Sequence, residues 1–374
     1  MKGVFITGAN GNVGSRLAKE YLIHSDYKLF LLVRGKSQQQ ATDRLKKVLA
    51  FWDVPVVQFQ DRIEVLCGDI TQPDLGLMPD QITALRHQVR LFLHAASNIR
   101  LDLSIEDARR MILSGTQNAY RLSRNFPHLE RFGFISTMEV IGRYEGLVKE
   151  EFLTDYKLDF INNYEVAKFE AEEFLRQEIE SGASVSIFRP TMVVGEATTG
   201  KALGFQSFYM MVEKMLLDPD YPILPEGPPV DTIPVDILAE GIVKLMEYPD
   251  ARSQIYHFGQ GLDDSITFPE FITELQSILE TRLHRKIRRP LYVTPIFHKM
   301  LLGALSKITW GRLRRFLRIQ LIFIKFAGLC WKIDNHKTRN TLGTLGVKWP
   351  RLKQYLPTLI NYYLEHRDEN KLPF

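Results

Sequence analysis

The stretch Val4-Phe5-Ile6-Thr7-Gly8-Ala9-Asn10-Gly11-Asn12-Val13-Gly14-Ser15-Arg16-Leu17 constrains the fold more than any other part of the chain. Val4, Phe5 and Ile6 suit a short buried strand, the glycines punctuate a turn, and Ser15 to Ile23 has helical spacing. Glycine lacks a Cβ, so backbone N–H groups in such a turn can approach a pyrophosphate closely. The anion then sits at the positive end of the following helix. Glycines at this spacing also occur in ordinary loops, so the flanking strand and helix carry the inference. Thr7, Gly8, Asn10, Gly11, Asn12, Val13 and Gly14 are accordingly the first candidate cofactor-binding residues.

The next segments fit the same scheme. Lys28 to Val33 reads as a second buried strand with Arg34 immediately after it. In a dinucleotide fold an acidic residue at this point grips the ribose 2′-hydroxyl of NAD. Here Arg34 is followed by Lys36, with no acid before Asp43, which favours the 2′-phosphate of NADP(H); a solvated strand end is the competing reading. A helical stretch over Ala41 to Phe51 leads to a third strand ending in Gly68-Asp69-Ile70. Asp69 is expected at the ligand-binding edge, facing the adenine amino group, with Ile70 beside it. The strand from Val89 to His94 runs into Ala95 and Ala96, whose small side chains let the chain pass close beneath a cofactor. His94 reads as a packed strand-end residue, and no second histidine at ligand spacing accompanies it.

Helical spacing from Ile105 to Arg124 gives way to a strand over Arg131 to Thr137, which puts Ser136 and Thr137 at the same edge. Strands alternating with helices in units of this length predict an α/β fold with a doubly wound parallel sheet of Rossmann type. Tyr164 and Lys168 open a further helix and, four residues apart, share one face. Among 14 tyrosines one such pair is expected by chance. This pair, however, lies between the Ser-Thr strand end and another strand, Ser184 to Arg189, and no other tyrosine has a lysine at that spacing.

Composition narrows the class. With 374 residues, 45% hydrophobic and 25% charged, the chain can bury a large core. A net charge of +4 is too small to indicate a nucleic-acid binder. Two cysteines, Cys67 and Cys330, make no disulfide framework and fit a reducing, cytoplasmic setting. Met1 and Lys2 run straight into the first strand, so no signal or transit peptide is expected, and no uncharged apolar run is long enough to predict a transmembrane helix.

Taken together, Thr7-Gly8-x-x-Gly11-x-x-Gly14, Gly68-Asp69-Ile70, His94-Ala95-Ala96, Ser136-Thr137, Tyr164-x-x-x-Lys168 and Arg189-Pro190 resemble the extended short-chain dehydrogenase/reductase superfamily. They occur in its order and approximate spacing over roughly the first 200 residues. Within it, Leu32-Val33-Arg34-Gly35, the run from Gly68 to Leu77 and the run from Arg189 to Gly200 are most similar to the thioester-reductase and fatty acyl-CoA reductase branch. The resemblance implies an NADPH-dependent reductase that delivers hydride to an acyl thioester or a long apolar aldehyde or ketone. It makes Tyr164 the proton donor, Lys168 the group that lowers the tyrosine pKa and binds the nicotinamide ribose, and Thr137 the residue that orients the substrate oxygen. Ser136 is a substitute for Thr137, and Pro190 is a cofactor contact. Two departures stand out. Ile112 and Leu113 replace an Asn-Val pair of the family, which puts an asparagine-assisted proton relay in doubt. Glu139 either adds a carboxylate near the substrate or serves as a helix-start or surface residue.

The resemblance leaves two other readings open: a dehydrogenase or epimerase acting on a sugar nucleotide or sterol-like alcohol, and a non-catalytic NADP(H)-binding sensor or scaffold. The expected organisation is a nucleotide-binding domain over 1–200 with a return near 231–260, interleaved with a smaller, mainly helical substrate domain over 201–374. Phe205 to Leu217 reads as a Met-rich helix belonging to the core of that domain or to an acyl pocket. Val293 to Lys332 mixes apolar and aromatic residues with Arg312, Arg314, Arg315, Arg318 and Lys325. It reads as a lid, as a peripheral membrane contact, or as a site for the phosphates of coenzyme A or an acidic acyl carrier protein. Leu352 to His366 is expected as a final surface helix.

Overall fold

The computed structural model describes residues 2–154, 159–206, 208–213, 223–225, 227, 229–287, 291–308, 310, 329 and 331–368. Its centre is a seven-stranded sheet of β1 (Gly3–Thr7), β2 (Lys28–Val33), β3 (Ile63–Cys67), β4 (Val89–His94), β5 (Arg131–Ile135), β6 (Val185–Pro190) and β7 (Ile255–Phe258). The spatial order is β7-β6-β5-β4-β1-β2-β3, and every neighbouring pair is parallel. The order reverses between β1 and β4, so the crevice above that pair is where open α/β sheets bind ligands.

Alternation along the strands explains why the sheet is covered on both faces. Val4, Ile6, Leu29, Leu31 and Val33 point to one side. There they pack against Leu17 and Tyr21 of helix α1 (Asn12–His24), Leu45 and Leu49 of α2 (Gln38–Phe51), and Leu238 and Ile242 of a helix over Val235–Glu247. Phe5, Phe30, Leu32, Phe92, Phe132 and Phe134 point to the other, against Leu122 and against Ala171 and Leu175 of α3 (Asn163–Glu180).

The later chain does not form a separate lobe in sequence. The strand Met192–Val194 pairs with Thr232–Pro234, the helix over Val235–Glu247 returns to α1, and β7 adds to the sheet edge beside β6. A third core joins Phe208, Tyr209 and Val212 to Phe271, Leu275 and Leu279 of α4 (Phe268–Leu283) and to Tyr355, Leu359 and Tyr363 of α5 (Leu352–His366). The final helix spans the residues read from sequence, with Lys353, Gln354 and Glu365 exposed on one face and its apolar stripe buried against α4. Of the stretch read as a Met-rich helix, Phe208–Val212 is helical, whereas 207 and 214–217 lie outside the described residues. Among the described residues no helix is long and apolar enough to cross a membrane, and no cluster of His, Cys, Asp and Glu is arranged to hold a metal.

Candidate functional site

The glycine turn joins β1 to α1 at the switch point. Gly8 has φ +67°, and a Cβ there would fall 2.7 Å from the Ala96 backbone; one on Gly14 would fall 2.2 Å from the Gly8 carbonyl oxygen. Both positions accordingly require glycine. Gly11 N donates to Gly8 O at 2.9 Å, closing the turn. Gly11 caps α1 without any side-chain hydrogen bond and no acid lies in the first turn, whereas Ser37, Asn162 and Thr267 cap α2, α3 and α4. The leading N–H groups of α1 are thus available to an anion.

The turn is braced from below. Thr7 Oγ1 hydrogen-bonds His94 Nδ1 at 2.8 Å and accepts from Ala96 N at 3.2 Å, which ties β1 to the Ala95-Ala96 segment. Burial, with the neighbouring Lys168 charge, holds His94 down at about 3, so its imidazole is neutral and structural. Asn12 Oδ1 and Ser97 Oγ are buried beside this cradle without a hydrogen-bond partner among the described residues. Unpaired buried polar atoms cost free energy unless something satisfies them, and together with the two glycines that have no room for a Cβ they fit a bound dinucleotide. Ser97 follows directly on the two alanines and is the one position here not singled out from sequence.

Around the rim, Arg34 and Lys36 are exposed just beyond β2, and neither side chain forms an ion pair among the described residues. Arg44 Nη1 donates to Arg34 O at 2.5 Å, bringing a third cation to the same corner. That residue was hidden because its approach depends on where α2 packs. Asp69 follows β3, but its Oδ1 accepts from Thr71 N and Thr71 Oγ1, both at 2.9 Å, so part of the carboxylate shapes its own turn. Ile70 is held by Asn118, which donates to its carbonyl at 2.9 Å. Pro190 ends β6, where its neighbour Thr191 N donates to Phe258 O.

At the end of β5 two adjacent hydroxyls part ways. Ser136 Oγ donates to Glu172, whose carboxylate also binds Arg189 through Nε at 3.0 and 3.1 Å and Nη2 at 2.5 Å. Arg189 Nη1 reaches His257 Nε2 at 3.3 Å, and His257 Nδ1 donates to Asp334 O at 2.7 Å. All are buried, and burial beside Arg189 keeps His257 neutral, down at about 3. Ser136 is therefore committed to a structural network. Thr137, one residue on, caps the turn Met138–Ile141 by accepting from Glu139 N at 3.2 Å, and its hydroxyl also acts on the Tyr164 phenol.

Tyr164 and Lys168 sit on one face of α3 as expected, both buried. The expected effect of the lysine on the tyrosine is not found. Burial pushes the Tyr164 phenol well above its usual range and the Glu139 carboxyl pushes it the same way; only Thr137 opposes. Lys168 Nζ instead donates to Ile135 O at 2.7 Å and lies 4.7 Å from the centre of the Phe134 ring, and burial lowers it to about 7. Glu139 is half-buried and is raised to about 7 by burial alone.

A parallel sheet with a glycine cradle at its switch point and a Thr, Tyr and Lys group at the same edge defines an NAD(P)-binding oxidoreductase of the extended short-chain dehydrogenase/reductase fold. Comparison with known proteins gives the family: a profile described as "Male sterility protein" matches residues 6–242, and the chain belongs to that family of reductases. It is 26% identical over 302 residues to a carboxylic acid reductase of Mycobacterium marinum, covering 73% of this chain and 25% of that protein. Two solved structures share the fold. The terminal R domain from the myxalamid PKS-NRPS biosynthetic pathway has a TM-score of 0.82 at 22% identity, covering 100% of this chain and 93% of that one. A thiolation-reductase di-domain from an archaeal non-ribosomal peptide synthetase has a TM-score of 0.76 at 19% identity, covering 98% and 76%. The chain spans between 5% and 59% of the length of the first curated relatives it matches.

Proposed function

We propose that the protein is an NADPH-dependent thioester reductase in which Thr137, Tyr164 and Lys168 handle the carbonyl oxygen and the cofactor ribose. The observation that carries this is the meeting of Thr137 and Tyr164 at the sheet edge, with Lys168 one helical turn along, beside a cradle that admits only glycine. The nicotinamide cofactor, when bound, supplies the hydride. Backbone N–H groups of Asn12 to Gly14 hold its pyrophosphate, and Arg34 with Arg44 and Lys36 meets the 2′-phosphate. Thr137 orients the substrate oxygen, and Tyr164 gives that oxygen its proton as negative charge develops there. A phenol kept strongly protonated by burial is suited to donating only once an alkoxide-like base appears. The first reduction of a thioester yields a hemithioacetal, which releases aldehyde and thiol.

The substrate is an apolar acyl group on coenzyme A or on a carrier protein. Similarity to a carboxylic acid reductase and a fold shared with a thiolation-reductase di-domain support a carrier-borne thioester over a sugar nucleotide or sterol. The proton-donating pair supports turnover over mere sensing. The helix over Pro295–Ile308 exposes Ile296 (75%), Met300 (69%) and Phe297 (54%), which does not suit a lid that hides its apolar face. A peripheral membrane contact through 293–332, of which 309, 311–328 and 330 lie outside the described residues, is tested by liposome flotation. Cofactor oxidation measured with NADPH and NADH against acyl-CoA, acyl-carrier, aldehyde and ketone substrates tests the main reading. Oxidation of NADPH by a thioester is expected, and activity confined to ketones or sugar nucleotides would reject it.

A further inference from the structure

Resting on the peripheral membrane contact raised above, we propose that the outward face of the helix over Pro295–Ile308, with Leu291 before it and Trp310 after it, is a docking surface for an anionic lipid bilayer. Its apolar side chains enter the boundary between headgroups and acyl chains, and the lysines around them meet the headgroup phosphates.

The first observation is where exposed apolar surface collects. Among the described residues, six of the thirteen large apolar side chains that are exposed fall between Leu291 and Trp310, while the other seven are scattered singly along the sequence. Isolated ones are ordinary on a protein surface, and a cluster marks a contact site. Leu302, 1% exposed, is the one side chain of this helix that is buried among those described. Met300 and Ala304, each two residues from it, lie on the opposite side at about 100° per residue, with Ile296 and Phe297 a turn before them. Trp310, 84% exposed, follows the helix. Lys299 and Lys307 are exposed on the same helix, and neither forms an ion pair among the described residues.

The second observation is charge, and it selects the partner. Between Thr281 and Ile333 the sequence has thirteen Lys and Arg and no Asp or Glu; with +13 there and +4 for the whole chain, the remainder carries −9. Arg288, Arg289 and the five cations from Arg312 to Lys325 lie outside the described residues. Arg282 pairs with Glu365, and Arg285 and Lys286 are exposed without an ion pair among the described residues. A folded partner presents both signs and is matched by mixed charges, whereas a uniformly anionic surface repels every carboxylate. A run of 53 residues without an acid, beside a face of isoleucine, phenylalanine, methionine and tryptophan, is the pattern such a surface selects. The negative remainder turns the protein so that this stretch approaches first.

The face is held to the body at both ends. Leu291–Val293 pairs in parallel with Ile223–Pro225, and Lys332–Ile333 pairs with Leu147–Val148, where Trp331 Nε1 also donates to Gly142 O at 3.0 Å. The second attachment belongs to the segment between Thr137 and Tyr164, so a docked surface is tied to the edge where an apolar acyl group is reduced.

The test mixes the full chain with vesicles of phosphatidylcholine alone or with phosphatidylserine added. Flotation is measured beside NADPH oxidation with acyl-CoA, acyl-carrier and aldehyde substrates in the absence of vesicles. Wild type should float with the phosphatidylserine vesicles, hardly with neutral ones, and less in about 0.5 M salt. Lys299→Gln with Lys307→Gln should weaken binding roughly 30-fold, and Ile296→Ser with Phe297→Ser on the order of 10²-fold. Both variants should keep the wild-type unfolding midpoint and vesicle-free turnover. Equal flotation with neutral and anionic vesicles, indifferent to the lysine variant, overturns the anionic assignment and leaves the membrane contact. No flotation with either vesicle overturns both, and retention on an immobilised acidic carrier protein in that case gives the face to a protein partner. Wild type that floats with anionic vesicles but oxidises no NADPH rejects the reductase reading and leaves the docking surface standing.

Discussion

Ser136 and Thr137 are neighbours in sequence, both carry hydroxyls, and both stand at the ligand edge of the sheet, yet they serve different regions. Ser136 joins a closed network of Glu172, Arg189 and His257 that pins α3 and β6 to β5. Thr137 opens onto the Tyr164 side, where Glu139 and Tyr164 carry polar groups that the protein itself leaves incompletely satisfied. The first region spends its charges on one another and gains rigidity. The second leaves groups available for a substrate and is held in place by the first. Chemistry in this fold therefore depends on a dry, saturated bracket directly behind it.

The contrast is broken most severely by Glu172→Ala. Removing one partner of a buried pair leaves Arg189 uncompensated and should cost about 3–5 kcal/mol, read as a lower midpoint in urea unfolding. Thr137→Ala should do the reverse, leaving the midpoint nearly unchanged while lowering kcat/KM by roughly 10²-fold as one donor to the developing oxyanion is lost. Next in size, Arg34→Ala should weaken NADPH by about 1.5–3 kcal/mol, the worth of a charge-assisted contact, and leave NADH nearly unaffected. An unchanged NADPH to NADH ratio would remove Arg34 from the site. Smallest, Ser136→Ala should lose about 1–2 kcal/mol of stability with little change in turnover. A large loss of kcat there would erase the distinction between the two hydroxyls.

Much of the sheet was legible because both faces are buried: apolar runs such as Lys28 to Val33 and Arg131 to Ile135 announce parallel strands, and Gly8 and Gly14 mark a turn that tolerates no side chain. The Tyr164 and Lys168 pairing was legible from helical spacing. What sequence left undecided depended on distant partners. Nothing local reveals that Ser136 meets Glu172 from α3 and Arg189 from β6, or that Lys168 turns to Ile135 O. Glu139 stayed ambiguous because its surroundings are built by Tyr164 and Glu165 of another element. The final helix was legible as amphipathic, but its stripe of Leu352, Tyr355, Leu359 and Tyr363 does not disclose that α4 is the element covering it.

In the proposed mechanism Tyr164 gives the proton at an edge whose cofactor cradle is built independently of it. Tyr164→Phe removes one oxygen atom and tests this directly, with NADPH binding and thioester-dependent NADPH oxidation measured on the same preparation. Turnover should fall by roughly 10²–10⁴-fold with NADPH affinity nearly unchanged. Turnover that survives the substitution would contradict it.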